Sequence, residues 1–365
     1  MLNKFNLSCF VTPVPFPRSH SSLSQVSRLA FQSSRTSRLH AHFVMSSDAP
    51  PRKVACVTGA TRGIGRGIAI GLGEKGMLVY FTGRTEHGKL SLEATAKAIK
   101  EAGGEPRSVK VDHENDDEVK RLFEKIEEES GRLDILVNNA YKGVQSLIDG
   151  KDTKFWEIGQ DKGSPGDHWD TINNVGLRNH YVCAVYATRL MIKKKTKGVI
   201  VNVGSLGGLT PIFDVAYGIG KCAMDRMVLD MANDLKGTGI SMVGIWPGVV
   251  GTEAFLGAEE IRKAMAASLW NAESPLYVGR ALAAFVSNER DVRKNSGRIA
   301  VIAELAKKYD IKDQDGPKHS VRGTRFFVLS LFSFLQKWEY NWLIPDLYVP
   351  WWLVKAIVRP SPRLR

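Results

Sequence analysis

Ser205, Tyr217 and Lys221, set far downstream of a glycine loop at Gly59, are the residues whose types and spacing suit chemistry. A tyrosine is a poor acid or base at neutral pH, because its ordinary pKa is about 10. Lys221 follows Tyr217 by four positions in Tyr217-Gly-Ile-Gly-Lys221, which places both on one face of a helix. Its positive charge favours the phenolate and is expected to lower the tyrosine's pKa toward the working range. A nearby serine hydroxyl can hold a carbonyl or hydroxyl oxygen in line. This is equipment for moving a proton to or from a substrate oxygen. A nucleotide loop upstream suggests that a hydride moves with it.

The elements that must position these groups alternate between strand and helix from Lys53 onward. Val54–Thr58, Met77–Thr82, Ser108–Val111, Leu133–Val137, Gly198–Val203 and Ile240–Trp246 read as strands, with Arg298–Ala303 as the last. Ile64–Lys75, Leu92–Ala102 and Asp116–Ser130 read as helices between them. Continuous apolar runs are expected of parallel strands covered on both faces. The alternation predicts an α/β fold: a single Rossmann-type, doubly wound parallel sheet with helices on both faces. Residues 51–305 are assigned to this domain, 1–50 to a presequence and 306–365 to a C-terminal extension.

Thr58-Gly59-Ala60-Thr61-Arg62-Gly63-Ile64-Gly65 joins the first strand to the first helix. Gly59 permits a tight turn, Gly63 lets a phosphate approach the backbone, and Gly65 lets the helix pack on the strand. The free N–H groups and positive end of that helix would then face a pyrophosphate. The second strand ends in Thr82-Gly83-Arg84-Thr85, with no acid where a ribose 2′-hydroxyl would be held. Arg84 and Arg62 could instead pair with a 2′-phosphate. NADP(H) is therefore expected in preference to NAD(H), unless the two arginines are simply solvated.

With these motifs in place, Lys53 to Ala303 resembles the short-chain dehydrogenase/reductase family. The resemblance rests on TGxxxGIG at Thr58–Gly65, Asp112, Asn138-Asn139-Ala140, Ser205, Tyr217 with Lys221, and Pro247-Gly248 followed by Thr252, all in the family's order. It implies that Asp112 contacts the adenine amino group and that Asn138 to Ala140 line the cofactor and brace the sheet. It implies further that Ser205 orients the substrate carbonyl, that Tyr217 is the proton donor or acceptor, and that Lys221 also binds the nicotinamide ribose. Val250 and Thr252, beyond Pro247 and Gly248, would hold the nicotinamide carboxamide. The implied activity is NADP-dependent transfer between a carbonyl and an alcohol, by a subunit that forms dimers or tetramers.

Two positions depart from the family pattern. The family's NNAG is Asn138-Asn139-Ala140-Tyr141 here, so a bulky Tyr141 enters near the pocket and joins Ser205 and Tyr217 as a substrate-contact candidate. The family's catalytic Asn, counted seven residues from Trp169, is Gly176. That Asn normally holds a water in the proton relay from the lysine, which glycine cannot do. Asn173 and Asn174 are near in sequence but are expected to point elsewhere. The wider pattern, including Phe155-Trp-Glu157 and Ile172-Asn-Asn-Val-Gly-Leu-Arg178, is similar to a subgroup that shares this glycine and reduces assorted carbonyls, including steroids, with NADPH. A catalytically weak NADP-binding scaffold or sensor stays open as the alternative.

The flanking segments are less specific. Residues 1 to about 50 are rich in Ser and Arg and carry no acid before Asp48, which suits a plastid or mitochondrial transit peptide. The alternative is an extension ahead of Met45 as the start, with cytoplasm or an endoplasmic-reticulum surface as the location. The segment from Thr252 to Pro275, with Phe255, Leu256, Met265, Leu269 and Trp270, reads as an apolar cover suited to a lipophilic carbonyl or alcohol. Phe155 and Trp156 read as a second pocket wall. Phe327, Leu331, Phe334, Leu335, Trp338 and Trp342 follow helical spacing and suggest a helix lying on a membrane surface, or a tail packed on the domain or a second subunit. No apolar run reaches the roughly 20 residues that span a bilayer.

Composition excludes little. The formal net charge of the 365-residue chain is +13, but neither end has a dense basic run interleaved with aromatics, so no nucleic-acid partner is expected. The four cysteines, Cys9, Cys56, Cys183 and Cys222, show no CxxC spacing, so neither a metal site nor a redox pair is indicated. Cys56 reads as small core filler, Cys222 as a helix-packing residue, and a reducing compartment is implied.

Overall fold

The apolar runs become strands because a parallel sheet covered on both faces has no polar side. The structure is a computed structural model and describes residues 51–150, 153–160, 163–257, 259, 271–331, 343–350 and 352–353. Strands β1 (Val54–Val57), β4 (Ile135–Asn138), β5 (Val199–Val203) and β6 (Ser241–Trp246) are buried at every position. With β2 (Leu78–Gly83), β3 (Glu105–Lys110) and β7 (Ile299–Val301) they form one seven-stranded sheet in the order β3-β2-β1-β4-β5-β6-β7. Every neighbouring pair is parallel.

Chain order reverses between β1 and β4, which opens a crevice at the carboxyl ends of those strands. The register Val57 to Val137, Asn138 to Asn202 and Val203 to Ile245 brings the loops after β1, β4, β5 and β6 to one edge. The glycine loop, Asn139–Tyr141, Gly204–Gly208 and Pro247–Thr252 all lie in those loops.

Helices α1 (Gly63–Gly73), α2 (Leu92–Glu101), α3 (Asp116–Ser130), α4 (Val144–Asp149), α5 (Pro165–Asn173), α6 (Asn179–Lys193) and α7 (Val215–Asp234) follow in order. Short α8 (Glu253–Gly257), then α9 (Pro275–Val286), α10 (Glu289–Lys294), α11 (Ile302–Lys308) and α12 (Thr324–Leu331) complete the described helices. One core unites Ile68 and Leu72 of α1 with Leu282 and Phe285 of α9 on one face of the sheet. The other unites Leu122 and Ile126 of α3 with Cys183 and Ala187 of α6. Cys56 is fully buried in that second core, and burial pushes its thiol up to about 12, which makes it inert filler as expected. Cys222 is exposed instead of packed.

Two expectations about the strands shift. Strand β3 starts at Glu105, before the expected Ser108, and so includes Pro106. Proline is tolerated because β3 is an edge strand with a missing N–H on its open side. The last strand ends at Val301, before the expected Ala303, because α11 begins at Ile302. The presequence, the cover residues Met265, Leu269 and Trp270, and the tail residues Phe334, Leu335, Trp338 and Trp342 lie outside the described residues, as do the side chains of Phe327 and Leu331. Among the described residues, no helix is long and apolar enough to cross a membrane.

Candidate active site

Helix α7 starts with a cap that fixes the tyrosine. Asp214 Oδ1 accepts the backbone N–H of Tyr217 at 2.7 Å, and its Oδ2 lies 2.8 Å from His168 Nε2. Four residues on, Lys221 lies on the same face, and both side chains are only 8% exposed. Ser205 sits in the turn after β5, where its Oγ accepts the N–H of Gly207 at 3.1 Å. Ser205 Oγ and the Tyr217 ring both lie against Gly207, where a Cβ would stand 3.4 Å from the one and 2.5 Å from Cε1 of the other. Phe213 closes the other side, with its ring edge-on to Tyr217 at 5.2 Å between centres. The structure therefore brings together the three residues picked out in the sequence.

The electrostatics depart from expectation in one respect. Burial raises the Tyr217 pKa, and the neighbouring Ser205 lowers it only in part. Lys221 does not reverse this; its ammonium lies against ring faces. Nζ stands 5.7 Å from the centre of the Tyr217 ring and 4.8 Å from that of Tyr141, and donates to Val203 O at 3.5 Å. Burial in turn pulls Lys221 down to about 8, against an opposing pull from Asp225. Its charge is thus held by carbonyl, aromatic and longer-range contacts.

The departures at Tyr141 and Gly176 prove to be a single feature. A kink at Val175 and Gly176, both with non-helical backbone, separates α5 from α6, and Gly176 adopts φ +143°. A Cβ on Gly176 would stand 2.4 Å from Cδ2 of Tyr141, a distance at which something must move. The aromatic ring fills the space into which a side chain at 176 would reach. It packs with Leu147, Ile172, Ala216 and Tyr217, and meets the Tyr217 ring edge-on at 6.3 Å. The Tyr141 hydroxyl is buried without a partner among the described residues, and burial keeps it firmly protonated. Asn173 does point elsewhere, as expected: its Nδ2 donates to Ala216 O at 3.3 Å and braces the start of α7.

The glycine loop has the shape of a phosphate cradle. Gly59 and Gly63 both have positive φ, at +67° and +55°. A Cβ on Gly65 would stand 2.2 Å from Gly59 O, so helix and loop touch there. The side chain of Asn139 ties the loop down by donating to Thr58 O and Gly59 O at 3.0 and 2.8 Å. Asn138 braces the sheet by donating to Asn202 Oδ1 at 3.0 Å, and Ala140 N–H donates to Thr58 Oγ1. Thr61 packs against Gly83, and Ile64 against the core of α1. An anion already sits at the helix end: the N–H of Gly63 donates to Glu253 Oε2 at 2.9 Å. That carboxylate is a stand-in for a phosphate oxygen, and the residues present fit a dinucleotide.

At the far end of the crevice, Arg84 Nη1 lies 4.0 Å from Asp112 Oδ2, with both side chains largely open to solvent. A cavity of about 520 Å³ opens beside them, lined also by Lys110, Arg121 and Lys125. Arg62 is exposed at the start of α1 and makes no capping bond. At the near end, the Pro247–Thr252 loop is pinned from below by a residue that motif reading does not reach. Glu273 is 1% exposed and accepts the N–H of Gly248 at 3.0 Å, and burial pushes its carboxyl up to about 8. Val250 pairs with Glu273 through a backbone bridge, and Thr252 packs on Gly63. Phe155 and Trp156, expected as a pocket wall, are both 63% exposed and stack edge-on against each other.

This fold and this constellation define a class, and the chain belongs to the short chain dehydrogenase family, whose model matches residues 53–262. It is thus an oxidoreductase of a family that works with a nicotinamide cofactor. Among particular proteins, it is similar to "Dehydrogenase/reductase SDR family member 1" of Mus musculus, with 42% identity over 83% of this chain and 96% of the relative. The Homo sapiens protein of the same name is 38% identical over the same shares. A 3beta-hydroxysteroid dehydrogenase of Mediterraneibacter gnavus is 33% identical over 53% of this chain and 65% of its own. In fold the chain is similar to the crystal structure of a 3-oxoacyl-(acyl-carrier protein) reductase from Brucella melitensis in complex with NAD. That match has a TM-score of 0.60 and 22% identity, and covers 70% of this chain and 96% of the other.

Two outcomes follow from the geometry. Gly176→Asn should destabilise the protein by roughly 2–5 kcal/mol, summing an unfavourable φ and an overpacked neighbour. Thermal unfolding measures this, and the double variant Tyr141→Ala/Gly176→Asn should recover part of the loss. Glu253→Gln should bind the dinucleotide more tightly, by roughly 1 kcal/mol or about fivefold, because a competing anion leaves the helix end. Titration of cofactor affinity checks it, and unchanged or weaker binding would show that Glu253 does not compete for that seat.

Proposed function

We propose that the protein is an NADPH-dependent carbonyl reductase or alcohol dehydrogenase acting on lipophilic ketones, aldehydes or quinones. The observation that carries this reading is the buried Tyr217, packed with Ser205 around Gly207 and one helical turn from Lys221, at the sheet edge beside the glycine loop. When bound, the nicotinamide supplies or accepts the hydride. Ser205 holds the substrate oxygen within reach of Tyr217, which gives that oxygen a proton in reduction and takes one back in oxidation. Burial keeps Tyr217 protonated, which suits a proton donor. Lys221, whose ammonium stands 5.7 Å from the centre of the Tyr217 ring, would restore the proton. The loop from Thr58 to Gly65 would hold the phosphates, and Arg62 and Arg84 a 2′-phosphate.

A lipophilic substrate is supported by the residues around the tyrosine. Phe213 and Tyr141 flank its ring, and Val215 and Ile219 of α7 are about half exposed. Similarity to a bacterial hydroxysteroid dehydrogenase points in the same direction.

Tyr217→Phe should lower turnover by orders of magnitude while leaving NADPH affinity nearly intact. Retained turnover would sink the assignment. Arg84→Asp should reverse the preference between NADPH and NADH, measured as the ratio of kcat/KM values, and an unchanged ratio would remove Arg84 from cofactor selection.

A further inference from the structure

Glu273 closes a short parallel bridge beneath the Pro247–Thr252 loop. Its N–H donates to Val249 O at 2.7 Å, and its carbonyl accepts the N–H of Gly251 at 2.9 Å. Its Oε2 accepts the N–H of Gly248 at 3.0 Å. Gly248, Val249 and Gly251 therefore hang from one residue that is 1% exposed. Buried backbone groups need these partners, so a shift of Glu273 carries the loop with it.

What holds Glu273 lies beyond the sheet, in the chain after α11. Asp313 takes both donors of Ser274, the residue after Glu273. Oδ2 accepts the Ser274 N–H at 2.7 Å and Oδ1 the Ser274 hydroxyl at 2.6 Å, across 39 residues of chain. Bonds to a carboxylate are stronger than those between neutral groups. Two residues before Glu273, Asn271 is bonded in both directions to the backbone of His319. Its Nδ2 donates to His319 O at 2.8 Å, and its Oδ1 accepts the His319 N–H at 2.7 Å. The turn that carries Asp313 is itself closed, by bonds between Asp313 and Gly316 in both directions at 3.2 and 3.1 Å. The far end is anchored on α11, where Glu304 accepts from Ser320 Oγ at 2.8 Å and from Arg322 at 2.8 and 2.6 Å.

We propose that Asp313 is a positioning residue for the nicotinamide end of the cofactor site, acting through Ser274 and Glu273 to fix the loop from Pro247 to Thr252. The chain as far as Ser320, which sequence places in a C-terminal extension, then belongs to the cofactor site. This rests on the reading of Val250 and Thr252 as the contacts to the nicotinamide carboxamide. The phosphate end is tied down separately, by Asn139 on Thr58 and Gly59 and by the close approach of Gly65 to Gly59. Loss of the Asp313 carboxylate therefore separates the two ends: the loop from Pro247 to Thr252 loosens while the phosphate cradle keeps its shape.

The test uses the full-length protein and two ligands: NADPH, and 2′-phospho-ADP-ribose, which lacks the nicotinamide. Affinities are read by calorimetric titration of wild type, Asp313→Asn and Asp313→Ala, each with cooperative thermal unfolding in the absence of ligand. Wild type is expected to bind NADPH more tightly than the fragment. Asp313→Ala is expected to weaken NADPH binding by about fivefold, the weight of a hydrogen bond, and to leave the fragment's affinity unchanged. Asp313→Asn keeps an acceptor for one Ser274 donor and loses the other, so it is expected to fall between. Equal weakening of both ligands in the two variants would make Asp313 a general support of the fold and overturn the proposal, as would unchanged affinity for both. In either case a wild type that still prefers NADPH to the fragment leaves the reading of the loop standing. A wild type that binds the two ligands equally overturns that reading, and the role of Asp313 with it.

Discussion

The contact between the Tyr141 ring and the bare backbone of Gly176 sets the terms for everything around Lys221. Two bulky groups cannot share that space, since even a Cβ would approach the ring to 2.4 Å. Packing the ring there removes any side chain at the kink between α5 and α6. In exchange it places an aromatic face 4.8 Å from the lysine ammonium and an edge against the Tyr217 ring. The glycine and the tyrosine are therefore one adaptation, and a change at either alone would leave a cavity or a clash.

A buried site that moves protons must keep charges available without letting burial extinguish them. Here burial shifts five groups of the site. It raises Tyr217, Asp225 and Glu273 and lowers Lys221 and His180. The groups answer it differently. Tyr217 is eased by Ser205, Lys221 by the field of Asp225, and Glu273 by the N–H of Gly248. Glu253 holds the helix end of the glycine loop with a carboxylate from within the chain. The same N-terminal charge that suits a phosphate also suits a carboxylate.

The sheet, the crevice and the reacting trio were legible because each leaves a local mark. Buried parallel strands need unbroken apolar runs, the cradle needs glycine at Gly59, Gly63 and Gly65, and Tyr217 and Lys221 need a spacing of four. Glu253, Asp225 and Glu273 leave no such mark. Glu253 meets its partner 190 residues away in the chain, Asp225 meets Trp246 across 21, and Glu273 meets Gly248 across 25. A lone acid on a helix or in a loop reads as solvated until the fold supplies its partner. The start of β3 at Glu105, with Pro106 inside it, was not legible either, because only the sheet order reveals that β3 is an edge. The gap at Gly176 was visible in sequence, but the ring that fills it was not, since nothing in Asn-Asn-Ala-Tyr says where Tyr141 turns.

The most direct measurement is the oxidation of NADPH and NADH, side by side, by a panel of quinones, aldehydes and ketosteroids across pH. A working proton-transfer site predicts that lipophilic carbonyls consume NADPH faster than NADH. It also predicts that the rate falls as pH rises past about 8, where Lys221 loses its charge. NADPH that binds but is oxidised by no carbonyl at any pH would contradict it, and would leave a dinucleotide-binding scaffold in its place.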